Sequence, residues 1–225
     1  MFTKGPVFMM QNDHFKVIGI TGGIGSGKSR VLEYLSEKEG CYILESDKLA
    51  HRLMSKECEA YDAVVAEFGR GILSEETGEI DRRKLGGIVF NDNGKLQKLN
   101  DIVHPIVKKK ILSMIDDASK GILLNDRGEK INLFIIEAAV LIEDGYSKIC
   151  DAICYIHTDT EVRIKRLGAS RGLSREKSLS VINSQSSDEF YRENSDYIID
   201  NSSSFEDTIP GIDSMLLNLK MLKPE

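Results

Sequence analysis

The segment ITGGIGSGKSR (20–30) leaves a folded chain little freedom. Gly22, Gly27, Lys28 and Ser29 meet the G-x-x-x-x-G-K-[ST] spacing of a phosphate-binding loop, provided a strand leads in and a helix leads out. Both are expected. KVIGIT (16–21) is a short β-branched run that stops at glycine, the pattern of a buried strand. SRVLEYLSEKEG (29–40) puts Val31, Leu32 and Leu35 on one helical face and ends at Gly40, a natural stop. CYILE (41–45) follows as a second buried strand, so the unit implies parallel pairing through a right-handed crossover. Glycines let successive N–H groups turn inward around an anion, and the following helix adds its positive end. Lys28 is placed for the β- and γ-phosphates of a nucleotide, and the Ser29 hydroxyl is a hard ligand for Mg²⁺.

Composition narrows the rest. Over 225 residues, 41% hydrophobic and 29% charged side chains describe a globular domain, and a net charge of −6 argues against a general nucleic-acid binder. An anionic ligand must be held by a local site. Cys41, Cys58, Cys150 and Cys154 fit no zinc spacing and are expected reduced and mostly buried. No apolar run spans a bilayer, and the opening 15 residues lack a cleavage-like site, so they are expected to form a loose extension on a cytoplasmic chain.

From 48 to 115 the apolar residues fall at helical spacing, with turn-rich breaks such as SEETGEIDRR (74–83). This predicts a helical insertion of about 60 residues between strands of an α/β sheet. SKGILLNDRGEK (119–130) is expected as a surface excursion. Strands resume in INLFIIE (131–137), DAICYIHT (151–158) and DYIID (196–200), and an amphipathic helix is expected over 215–225.

In a parallel sheet ligands sit outside the carboxyl ends of the strands. Glu45 and Asp47 follow the second strand, expected beside the first, and Glu137 and Glu143 follow the third. A kinase needs a carboxylate to orient or deprotonate the attacking hydroxyl, and Asp47 is placed for that; its competing role is a helix N-cap. Asp151 precedes a strand and belongs at the far edge. Asn201 ends the last strand, where it contacts a base or orders the loop. Arg163, Arg166, Arg171 and Arg175 lie on a basic helical segment that is either a solvated face or a lid closing over the γ-phosphate. His51 and His104 fall in helical stretches where packing is the simpler role, and His14 and His157 read as surface or strand-end residues.

With these residues assembled, the chain resembles the dephospho-CoA kinase family over nearly its whole length. The likeness rests on IGITGGIGSGKS (18–29), ESDKLAH (45–51), IDRRKLGGIVFND (80–92), LNDIVHPIV (99–107), VLIE (140–143) and IIDN (198–201), the two insertion motifs being the most distinctive. It implies a P-loop NTPase fold like that of nucleoside-monophosphate kinases: a five-stranded parallel sheet flanked by helices, with a helical insertion and a lid. The core would comprise 16–50, 131–160 and 195–225, a helical CoA-binding domain 51–130, and the lid 161–194. The activity implied is transfer of the ATP γ-phosphate to the ribose 3′-hydroxyl of dephospho-CoA, with Mg²⁺. Gly25, Ser26, Gly27, Lys28, Ser29 and Arg30 match the ATP loop; Asp47 matches the carboxylate at the accepting hydroxyl; His104 and Glu143 fall on the acceptor side. The lid candidates are Arg163, Arg166 and Arg171. Partners beyond the small-molecule substrate are not expected, and the chain is expected to be a monomer or a weak homo-oligomer. The chain departs from the family pattern at Glu45, where Asp is usual, at Ala139–Leu141, at Arg30, and at Ser170–Arg171 in place of Arg-Asp. A related small-metabolite or nucleoside kinase shares the core reading. A GTPase-type switch calls for an Asn-Lys-x-Asp motif that the sequence does not contain.

Overall fold

The computed structural model describes residues 15–138 and 140–222, so the expected N-terminal extension (except Phe15), His14, Ala139 and the last three residues lie outside it. Five strands form one all-parallel sheet: β1 (Lys16–Thr21), β2 (Cys41–Glu45), β3 (Leu133–Glu137), β4 (Ala152–His157) and β5 (Tyr197–Asp200), in the order β2-β3-β1-β4-β5. The expectation that β2 neighbours β1 is therefore wrong, because β3 lies between them. Burial explains the order. The first four residues of β3 are all buried, as an inner strand requires, while Tyr42 and Ile43 of β2 are half-exposed, as on an edge.

Side chains alternate across the sheet and define two cores. Ile18, Ile20, Leu133, Ile135, Cys154 and Ile156 face α1 (Lys28–Ser36), which contributes Val31, Leu32 and Leu35, and the C-terminal helix. Val17, Phe134, Ile136 and Ile153 face the helical insertion. That insertion comprises α2 (Ser46–Leu53), α3 (Tyr61–Phe68), α4 (Arg82–Val89) and α5 (Asn93–Ser119). Its buried Leu49, Leu85, Val103 and Ile111 belong to the same cluster as the sheet face. Asp81 and Asp92 cap α4 and α5 by accepting backbone N–H bonds, and α5 continues through Pro105.

After β4 come α6 (Thr160–Arg171), α7 (Arg175–Asn183) and α8 (Asp188–Glu193); α9 (Phe205–Asn218) follows β5. The terminal helix thus starts ten residues earlier than the sequence suggested and stops at Asn218. Pro210 obscures its pattern, whereas the Ser204 side chain caps its first turn. Cys41 and Cys154 are buried with thiols pushed up to about 12 by burial, but Cys58 is exposed, against expectation.

At the amino edge, Asp151 accepts from the Val17 N–H (2.7 Å) and Asp196 from the Ile153 N–H (2.8 Å), so both carboxylates are structural. The excursion over 119–130 is fastened there too. Arg127 donates to the carbonyls of Ser36 (3.2 Å) and Lys38 (2.6 Å) at the end of α1, and Glu129 accepts from the Gly40 N–H (3.0 Å). Replacing Arg127 by Met removes its bonds to the Ser36 and Lys38 carbonyls, of which only Lys38 O keeps a backbone donor, the Cys41 N–H. Urea unfolding is expected to show a loss of about 1–2 kcal/mol with no change in cooperativity.

Candidate active site

Between β1 and α1 the backbone of 22–27 folds back over itself, and its carbonyls are held by donors. Gly22 O accepts from Lys28 Nζ (2.5 Å), Gly23 O from the Ser26 N–H (3.1 Å), and Ile24 O from Arg163 Nε (2.8 Å). Ser26 O accepts from three side chains: Asn201 Nδ2 (2.7 Å), Thr158 Oγ1 (3.0 Å) and Arg166 Nη1 (3.2 Å). With the carbonyls so engaged, the N–H groups of Gly25, Gly27, Lys28 and Ser29 have no acceptor among the described residues. That is an anion nest at a helix N-terminus. Glycine is required at two points in particular. Gly27 has φ 83°, and a Cβ there would run into the Asn201 amide; a Cβ at Gly23 would run into the Arg163 guanidinium.

The parallel register sets Glu137 against Ile20, beside the loop. Its carboxylate lies 3.7 Å from Lys28 Nζ, and both side chains are largely buried. Burial holds the Lys28 ammonium below its ordinary pKa, helped by the charge of Arg163 and opposed by Glu137 and Asp47. Burial likewise pushes the Glu137 carboxyl up, opposed by Lys28 and reinforced by Asp47 and Glu45. Both shifts run toward the neutral forms, so desolvation outweighs the pair's mutual attraction.

Asp47 sits in the first turn of α2 and is exposed. The cap position is held by Glu45, and Asp47 makes no cap bond, so the N-cap role is excluded. Its carboxylate has no hydrogen-bond partner among the described residues, yet its charge is felt by Lys28, Glu137 and His51. The Ser29 hydroxyl is exposed and unpartnered among the described residues. His51, one helical turn beyond Asp47, is held below its ordinary pKa by burial and then by Arg82. His104 Nδ1 lies 3.3 Å from Asp144 Oδ2, and Glu143 accepts from Ser186 Oγ (2.6 Å), tying the segment after β3 to the turn before α8.

A cavity of about 370 Å³ is lined by the loop, Glu137, Arg166, Leu167, Ser170 and Arg171. The basic residues divide accordingly. Arg163 and Arg166 brace the loop backbone, so they are not free lid arginines. Arg175 pairs with Glu161 through two 2.6 Å bonds. Arg171 alone of the four lines the cavity without a partner among the described residues. The Arg30 side chain turns outward over the Phe205 ring (4.5 Å) and toward Glu206. Asn201 is 3% exposed, with its amide engaged by Ser26 and Thr208, so of its two expected roles it orders the loop.

Gln185 was not anticipated. Its Oε1 accepts from the Ile24 N–H and from Arg163 Nη2, both at 2.8 Å. A glutamine 161 residues from its partner leaves no mark in spacing or periodicity.

Fold and site define a kinase of the P-loop class. A family model described as dephospho-CoA kinase matches residues 16–207. The dephospho-CoA kinase of Aquifex aeolicus is 40% identical over 193 residues, covering 86% of this chain and 92% of that protein. That of Carboxydothermus hydrogenoformans is 37% identical, covering 85% and 88%. Among solved structures, TT1252 from Thermus thermophilus superposes with a TM-score of 0.70 at 29% identity, over 92% of this chain and 98% of that one. Dephospho-CoA kinase from Campylobacter jejuni shares the fold, with a TM-score of 0.64 at 24% identity over 91% and 97%. The chain belongs to the dephospho-CoA kinase family.

Gln185→Leu should release the loop crest, raising KM for ATP and lowering kcat, with kcat/KM down roughly tenfold or more. Gln185→Glu keeps the acceptor for Arg163 and should restore most of the activity in steady-state assays.

Proposed function

We propose that this chain transfers the γ-phosphoryl group of ATP to the ribose 3′-hydroxyl of dephospho-CoA, yielding CoA and ADP. The observation that carries the reading is the unengaged Asp47 carboxylate on the rim that Lys28 and the open loop N–H groups share. The triphosphate lies in the nest, with Lys28 moving from Gly22 O to the β- and γ-oxygens. A bound anion also opposes the desolvation that lowers the Lys28 pKa, favouring its charged form. Asp47 accepts the hydroxyl proton as the ribose oxygen bonds to γ-phosphorus; the bond from that phosphorus to the β–γ bridging oxygen breaks, and ADP leaves with its electrons.

The donors fit Mg²⁺: the Ser29 hydroxyl and nearby carboxylates are hard oxygens, few enough to suit an ion held mainly by phosphates. When bound, the ion would neutralise charge on the β- and γ-oxygens. In this reading residues 51–130 receive the acceptor, with His104 on that side, and 161–194 form the lid. Arg171 is the lid arginine best placed to meet the transferring phosphoryl, since it faces the loop cavity uncommitted. Glu143 accepts from Ser186 of the lid segment, so in this reading it links the stretch after β3 to the lid rather than reaching substrate. Among the described residues no helix is long and apolar enough to cross a membrane, which is in keeping with a cytoplasmic metabolite kinase.

Coupled ADP-release assays with MgATP and dephospho-CoA test the reading; absence of turnover by the native chain rejects it. Lys28→Ala should lower kcat/KM by about 10²–10³. Asp47→Asn should lower kcat by about 10²–10⁴ while KM for ATP stays within roughly threefold. Unchanged kcat in the Asp47→Asn enzyme would remove Asp47 from the chemistry.

A further inference from the structure

Four buried hydroxyl oxygens have no hydrogen-bond partner among the described residues: Thr21 Oγ1, Ser26 Oγ, Ser178 Oγ and Ser195 Oγ. A hydroxyl taken from water and left unbonded is costly, so each calls for an explanation. Ser178 lies in α7 and Ser195 ahead of β5. Thr21 ends β1 and, by the alternation of the strand, faces the helical insertion together with Val17. Of the four, only Ser26 stands inside the phosphate-binding loop, where it is 2% exposed.

Two features set Ser26 apart. Its carbonyl is clamped by Asn201, Thr158 and Arg166, so the backbone beneath the side chain is fixed. The freedom left to the residue is rotation about χ1, which moves the hydroxyl and nothing else. The second feature is what lies beside that hydroxyl. A Cβ built on Gly22 would come within 3.0 Å of Ser26 Oγ, so the hydroxyl stands against the Gly22 peptide. Glycine at that position keeps the space between them clear.

Among the engaged loop carbonyls, that of Gly22 alone depends on a group the reaction needs elsewhere. Its donor among the described residues is Lys28 Nζ, at 2.5 Å. In a phosphate-binding loop the lysine serves the β- and γ-oxygens of the nucleotide. The Gly22 carbonyl then loses its bond at a largely buried position, and an unmade bond there is as costly as at any buried peptide. While Lys28 holds Gly22 O, the Ser26 donor is unused; once the lysine leaves, an acceptor is abandoned at its side.

We infer that Ser26 is a positioning residue whose hydroxyl takes over the Gly22 carbonyl when Lys28 turns to the phosphates. One side-chain rotation and one exchange of donors then stand in for a rearrangement of the loop. The unpaired hydroxyl is the counterpart of that exchange, held ready while the lysine occupies the carbonyl. Through this side chain Ser26 touches neither phosphate nor acceptor; it keeps the entrance of the loop in shape. The inference rests on the proposed nucleotide role of Lys28 and names what preserves the loop once that role begins.

The test uses the intact chain carrying Ser26→Ala, Lys28→Met, both together, or Ser195→Ala. The last removes an unpaired buried hydroxyl elsewhere and serves as the control. Thermal unfolding without nucleotide and calorimetric titration with ATP give the two readouts. Ser26→Ala should leave the unliganded Tm unchanged or raised, yet weaken the Kd for ATP by about fivefold to tenfold. Ser195→Ala should leave that Kd within about twofold of native. In the Lys28→Met background the carbonyl has already lost its lysine, so adding Ser26→Ala should lower the unliganded Tm by about 2–4 °C. A merely structural serine gives the same shift in both backgrounds. Equal shifts, or a Kd for ATP within about twofold of native in Ser26→Ala, overturn the inference. Should the native chain bind ATP but form no CoA, the proposed acceptor chemistry fails and the donor exchange stands on these readouts; absence of ATP binding overturns both.

Discussion

The carbonyl of Ser26 is the point on which the site depends. Three side chains, from the end of β4, the end of β5 and the middle of α6, donate to it at once. A peptide held by its oxygen in this way presents its nitrogen side to the opposite face, and the neighbouring carbonyls are restrained likewise. The loop therefore need not reorganise to receive phosphate, and its dipoles act at full strength when charge develops. The engaged groups lie 132 to 175 residues away, so the shape of the loop depends on completion of the whole sheet.

Electrostatics at the rim follows from strand order. Inserting β3 between β1 and β2 brings Glu137 to Lys28 and sets Asp47 one strand farther out. The two carboxylates thus have different surroundings. Glu137 is buried and held toward its neutral form, which suits a group that restrains lysine; Asp47 is exposed and unbonded among the described residues, which suits a group that must meet an incoming hydroxyl. Had β2 lain beside β1, as its sequence position suggested, Asp47 would crowd the lysine instead of facing an acceptor.

Much of this was legible in the sequence because it is local. The five strands, the glycine loop, the helical insertion and the far-edge position of Asp151 each follow from patterns within a few residues. What escaped depends on partners distant in the chain. Strand order is set by which apolar run is buried on both faces, visible only faintly in LFII against CYILE. The basic helix illustrates the limit most sharply. Arg163, Arg166, Arg171 and Arg175 read alike in sequence, yet two brace the loop, one pairs with Glu161, and one faces the cavity. Only their three-dimensional surroundings separate these roles, and the same holds for Gln185.

A structure of the chain with ADP and dephospho-CoA bound tests the central claim most directly. The account predicts the ribose 3′-oxygen within about 3 Å of an Asp47 carboxylate oxygen, on a line toward the phosphate cradled by Gly25, Gly27, Lys28 and Ser29. A hydroxyl bonded to another group, with Asp47 separated from it by more than one water, would contradict it.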